Sequence, residues 1–207
     1  MSGLRLMVYD RTCRGRPGLL GLSHIWQSGS WLYRGLDRID GCLGVETWPE
    51  AFDWLMSYRS DQPIAEIQYW GHGKWGRVAV DKLAIDRSAL AEGHSQYQKL
   101  CAIRERLIPG GEALWWFRTC EAFGADAGHD FAKAWTDFFG CPAAGHTYII
   151  GFYQSGLHRL VPGARPHWSA EEGLAKGSAQ EPLEALWSKR RAPNTITALR
   201  GAIPASF

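Results

Sequence analysis

Two short stretches of this chain end in side chains that can do covalent chemistry. Residues 64–73 read IAEIQYWGHG, an apolar run that stops at Gly71-His72-Gly73. Residues 113–124 read ALWWFRTCEAFG and break in the same way at Cys120. A thiol attacks a carbonyl as its thiolate, and a neighbouring imidazole can take the proton and later return it to a leaving amine. His72 is therefore read as an acid–base group and Cys120 as a nucleophile. The N–H groups of Gly73 and Cys120 would face the charge that develops on the attacked oxygen. Taken singly, a Gly-His-Gly turn is usually structural, and a cysteine after apolar residues is usually a packing thiol. Their joint placement at the ends of successive core strands points to a dyad.

The elements that must position these residues follow from the hydrophobic pattern. Residues 4–9 (LRLMVY), 64–70, 113–118 and 147–152 (TYIIGF) read as four core strands. Between them lie helical patterns. Residues 22–36 carry Leu22, Ile25, Trp26, Leu32, Tyr33 and Leu36 on one face. Residues 47–58 have Thr47 as N-cap, Pro49 in the first turn and Glu50 three residues after the cap. Residues 88–108 stop at Pro109-Gly110-Gly111. Residues 127–139 are closed by Gly140. Residues 37–46 read as a turn-rich connection, and 77–80 as a small hairpin or edge. Beyond Tyr153 the pattern weakens: a strand over 156–161, loop over 162–178, a short helix over 182–189 and no period after 190. Such alternation predicts an α/β fold, a mostly parallel sheet with helices on both faces. Ligands of such sheets gather outside the carboxyl ends of the strands, where His72 and Cys120 both fall.

The totals exclude several classes. At 207 residues the chain builds one domain with its own core. A net charge of +2 makes no case for nucleic acid or an anionic membrane as partner. The five cysteines are odd in number and contain no CxxC pair, which argues for free thiols and against a cysteine-built zinc site. No segment has the length of a membrane span, and the N-terminus lacks a signal-peptide pattern. These features predict a soluble, cytoplasmic protein needing no cofactor. The eleven tryptophans are explained by a large core with a few surface platforms. His129 in its helix next to Asp130 reads as a surface residue. His146 reads as a structural residue starting the fourth strand, and Cys141 as a thiol at the wrong end of the sheet.

A hydrophobic run closed by His-Gly, followed by a second closed by Cys, resembles the caspase-like cysteine peptidases, the group of caspases, legumains, gingipains, clostripain and separase. IQYWGHG is similar to the first motif and FRTCEAFG to the second; Cys120-Glu121 is nearest the legumain type. The motif match is short, and the topology pattern carries it over residues 4–152. The resemblance implies a three-layer caspase-like sandwich spanning 1–207 and a cysteine endopeptidase working through an acyl-enzyme. It assigns Cys120 as nucleophile, His72 as acid–base group, and the Gly73 and Cys120 amides as oxyanion hole. The caspase pattern Gln-Ala-Cys-Arg-Gly is absent, so aspartate specificity does not carry over.

In that family the loop after the first strand and the segment after the fourth build the substrate pocket. Here those are residues 10–16 and 152–156, with Asp10, Arg11, Glu121 and Tyr153 as pocket candidates. Asp10 would favour a basic substrate residue, whereas Arg11, Arg14 or Arg16 would favour an acidic one. Glu121 is a surface carboxylate, a dyad neighbour or a pocket wall. The partners implied are a peptide or protein substrate and a second protein for recruitment or activation. Three alternatives remain: a catalytically silent binding or regulatory module of the same fold, an acyl-transferring transpeptidase on the same dyad, and a tryptophan-rich carbohydrate binder.

Overall fold

The central strands are buried along nearly their whole length, and their period of two sends successive side chains into cores on opposite faces of one sheet. The computed structural model describes residues 3–15 and 20–207. In chain order its elements are β1 (Leu4–Asp10), α1 (Leu22–Gly35), β2 (Gly41–Val45), α2 (Trp48–Ser57), β3 (Ile64–Trp70), β4 (His72–Lys74), β5 (Arg77–Val80), β6 (Leu83–Asp86), α3 (Tyr97–Glu105), β7 (Leu114–Arg118), α4 (Ala125–Phe139), β8 (Ala143–His146), β9 (Tyr153–Gln154), β10 (Leu157–Leu160), β11 (Leu174–Gly177), β12 (Pro182–Ala185) and β13 (Ile196–Thr197). The main sheet runs β10-β8-β7-β3-β1-β2, parallel throughout except for β10. The chain is thus an α/β protein built on a mixed, mostly parallel sheet.

One face carries the larger core. Leu4, Leu6, Val8, Ile67, Tyr69, Trp115 and Phe117 pack there against Phe52 and Leu55 of α2, Leu100 and Ile103 of α3, and Phe131 and Trp135 of α4. The other face shows Met7, Tyr9, Trp70 and Trp116. It is covered by Tyr33 of α1 and, further along, by Ile196, Ile203 and Phe207 of the C-terminal segment. Trp48, Trp70, Trp115, Trp116, Trp135 and Trp168 are buried, so the tryptophans are chiefly core.

Several expected elements hold. Thr47 caps α2, its Oγ1 accepting the Glu50 N–H at 3.3 Å, and Gly140 ends α4 in the left-handed region at φ 63°. Others require correction. The connection over 37–46 contains β2, whose pattern is weak because Gly41 and Gly44 lie beneath the rings of Tyr58 and Tyr9, where a Cβ would collide. The long helix over 88–108 shrinks to α3, because the Gly93-His94 segment turns and His94 Nδ1 accepts the Gln96 N–H. The fourth parallel strand is β8, not residues 147–152. Gly145 lies beneath the Phe123 ring, where a Cβ would collide, and Ala143 and Ala144 sit beside Trp115 and Trp116 of β7, so the strand is made of small residues with a weak hydrophobic signature. The helix expected over 182–189 is instead β12, paired antiparallel with β11. The apolar face expected on α1 holds only at Tyr33, which is buried, and Trp26, which packs beside it; Leu22, Ile25, Leu32 and Leu36 are exposed, and Ser23 and Ser30 are buried instead.

Candidate functional site

β3 and β7 are paired in parallel, with Trp70 opposite Arg118 as the last register pair. His72 and Cys120 each lie two residues beyond it, so both emerge at the same rim of the sheet. Gly73 fixes how closely the two segments approach. A Cβ at that position would stand 2.4 Å from Thr119 Oγ1 and 2.7 Å from the Cys120 carbonyl oxygen, so only glycine fits. The rim is tied further by the β4–β5 hairpin. Its two-residue turn, Trp75-Gly76, has φ values of 27° and 78° and donates the Trp75 N–H to Glu121 O (3.1 Å) and the Gly76 N–H to Ala122 O (3.0 Å). Positive φ at both central residues is the tight hairpin geometry that matches strand twist.

The Cys120 thiol is half-buried. Its sulfur accepts the Ile150 N–H at 3.4 Å. Burial pushes its pKa up; the Ile150 amide and its own amide work against this, and the charge of Glu121 works with it. Among the described residues, the Gly73 and Cys120 N–H groups make no backbone hydrogen bond outside the strand ladders.

His72 is exposed and forms no hydrogen bond with Cys120 among the described residues. Its Nε2 lies 3.2 Å from the sulfur of Cys13, and its ring meets Trp26 edge-on at 5.9 Å. Cys13 is the participant that the sequence did not suggest. It sits in the loop after β1, and nothing in its spacing to His72, 59 residues away, marks it. Its sulfur is also 3.6 Å from Asp10 Oδ2. Burial, with the Asp10 carboxylate next, pushes the Cys13 pKa to about 11, which makes it a poor rival nucleophile.

The remaining pocket candidates are scattered. Asp10 is fully buried and accepts the Thr12 N–H (2.8 Å) and Oγ1–H (2.6 Å) on Oδ1 and the Asp81 N–H (3.1 Å) on Oδ2. Arg11 pairs with Glu46 and Glu50, and Arg14 with Glu46; Arg16 lies outside the described residues. Tyr153 lies in β9, paired with Thr197, beside Arg190 and Thr195. Glu121 adjoins the thiol at a φ of 54°. It is buried, its Oε2 has no partner among the described residues, and burial raises its pKa against the pull of Lys74.

The histidines outside the rim are structural in their contacts. His146 is wholly buried with Nδ1 at 3.1 Å from Ser155 O, and it ends its strand rather than starting it. His129 is half-buried, not a surface residue, and packs edge-on against Trp168. Cys141 is buried just before β8. Among the described residues no group of three or more His, Cys, Asp or Glu could hold a metal ion, and no helix is long and apolar enough to cross a membrane. Compared with protein-family models, with curated proteins and with solved structures, the chain matches none.

Proposed function

We propose that the chain is a cysteine endopeptidase whose dyad is Cys120 and His72, on a caspase-like three-layer arrangement of the α/β fold. The observation that supports this most is the fit of Gly73 against Thr119 and Cys120. It sets an imidazole-bearing turn beside a thiol-bearing turn at the carboxyl rim of a parallel sheet, in the chain order the resemblance implies. Cys120 would lose its proton to His72 as the sulfur–carbon bond forms. The Gly73 and Cys120 amides would hold the oxyanion. The amide C–N bond would then break as the imidazolium protonates the amine, and water would cleave the thioester with His72 returning the proton to sulfur. Of the pocket candidates, Glu121 follows the thiol directly in the chain and has a buried Oε2 without a partner among the described residues, whereas Asp10, Arg11 and Arg14 are engaged internally.

The test is competitive labelling with a peptidyl chloromethyl ketone, read by mass spectrometry. An active dyad reacts at Cys120 at least on the order of 100-fold faster than at Cys13, Cys42, Cys101 or Cys141. Rates at Cys120 no greater than at the exposed thiols would sink the proposal. One observation favours a second reading, a catalytically silent module: His72 is bonded to Cys13, while burial and Glu121 raise the Cys120 pKa. That reading requires no selective labelling and no peptide turnover.

A further inference from the structure

Donors and acceptors in the loop after β1 can be counted. Asp10 is a buried carboxylate and, when ionised, only accepts hydrogen bonds. It already receives three, from Thr12 and from Asp81. The Cys13 sulfur is its fourth neighbour, 3.6 Å from Oδ2. A contact between an acceptor-only group and a thiol is favourable only if the S–H points at the carboxylate. Cys13 then has no proton left for His72, and its sulfur can only accept. At 3.2 Å from His72 Nε2, it must therefore face an Nε2–H. The other ring nitrogen, Nδ1, has no partner among the described residues. The burial of Asp10 fixes the first link of this chain, and the short Cys13 loop fixes the second.

We propose that Asp10 and Cys13 form a positioning relay that locks His72 in the Nε2–H tautomer and leaves Nδ1 as the basic nitrogen of the site. The relay rests on the dyad reading for its purpose, because the nitrogen it frees is the one that would receive the Cys120 proton. Cys13 is neither nucleophile nor ligand in this arrangement. It stands where a carboxylate or a backbone carbonyl would otherwise hold the second nitrogen of a catalytic imidazole. As the imidazole takes a proton at Nδ1, the positive charge is felt through the sulfur by the buried carboxylate, and the ring is kept from turning away.

The experiment is nitrogen-15 NMR of histidine-labelled protein with C13A and C13S, alongside the rate of Cys120 alkylation. The wild-type protein and C13S, whose hydroxyl can also donate to Asp10 and accept from His72, should show a slowly exchanging Nε2–H resonance for His72. C13A should lose that resonance, and its Cys120 alkylation should slow by on the order of tenfold, with C13S restoring most of it. Persistence of the resonance in C13A, or an alkylation rate in C13A equal to wild type when the wild-type thiol is selectively reactive, overturns the relay. If wild-type Cys120 shows no selective reactivity, the peptidase reading falls. The NMR arm still decides whether Cys13 sets the tautomer.

Discussion

The Arg118 guanidinium lies over the Trp70 ring, its Cζ 4.5 Å from the ring centre, at the last position where β3 and β7 are in register. This stack sits directly beneath the rim from which His72 and Cys120 emerge. Arg118 is buried without a carboxylate partner in its hydrogen-bond set. Its nitrogens donate instead to Gln154 Oε1, to the Tyr33 hydroxyl and to the carbonyls of Ala198 and Arg200. Tyr33 donates to the same two carbonyls, so one guanidinium and one phenol hold the C-terminal segment against the sheet.

Arg118→Met should therefore destabilise the fold by about 3–5 kcal/mol, because several buried acceptors lose their donor together. Hydrogen exchange should rise selectively over residues 196–207. An urea midpoint within error of wild type would show that the guanidinium is not the clasp.

Gly73→Ala should cost about 1–3 kcal/mol, the usual range for forcing a methyl group into filled space. The new Cβ meets Thr119 Oγ1 and the Cys120 carbonyl, so the hairpin must lift from the rim. Alkylation at Cys120 is expected to fall out of proportion to the loss of stability. Unchanged kinetics at the thiol would mean that the close approach has no bearing on its reactivity.

Acid should weaken the fold through His146. Burial holds its pKa down to about 3, against 6.5 for an ordinary histidine. The folded protein thus stays unprotonated there while the unfolded chain takes up a proton. The stabilisation is complete above pH 6.5 and is lost as pH falls from 6.5 towards 3, at up to about 1.4 kcal/mol per pH unit. His146→Asn removes this titration. Its unfolding midpoint should start lower at neutral pH but decline less steeply on acidification than that of wild type; parallel declines would contradict the assignment.

Trp168→Ala should cost about 3–5 kcal/mol. The ring is stacked between Phe123 (centroids 5.8 Å, 5° between planes) and His158 (4.6 Å, 9°), and its Nε1–H donates to Phe123 O at 3.0 Å. Trp168→Phe keeps an aromatic surface but loses the hydrogen bond, so its loss should be smaller. Equal losses for the two variants would assign the stabilisation to the hydrogen bond rather than to the stack.

The strands that carry His72 and Cys120 were legible because they are buried on both faces and read as continuous apolar runs. The caps of α2 and α4 were legible because Thr47 and Gly140 act locally. β2 and β8 were hidden for the opposite reason: their glycines make room for Tyr9, Tyr58 and Phe123, which lie elsewhere in the chain. The meeting of Cys13 with His72 was hidden as well. A loop contact between residues 59 apart leaves no periodic trace. Arg11 and Arg14 looked free in the sequence only because the carboxylates that neutralise them, Glu46 just after β2 and Glu50 in the first turn of α2, lie more than 30 residues further along the chain.

The tip of the β4–β5 hairpin is laced by two backbone hydrogen bonds to the residues just after Cys120. The imidazole and the sulfur therefore ride on one frame. A push on Trp75 displaces the thiol's own loop along with the histidine. Adjustment at this rim travels as a joint shift of both reacting groups, leaving the gap between them to be altered only by rotation of the two side chains.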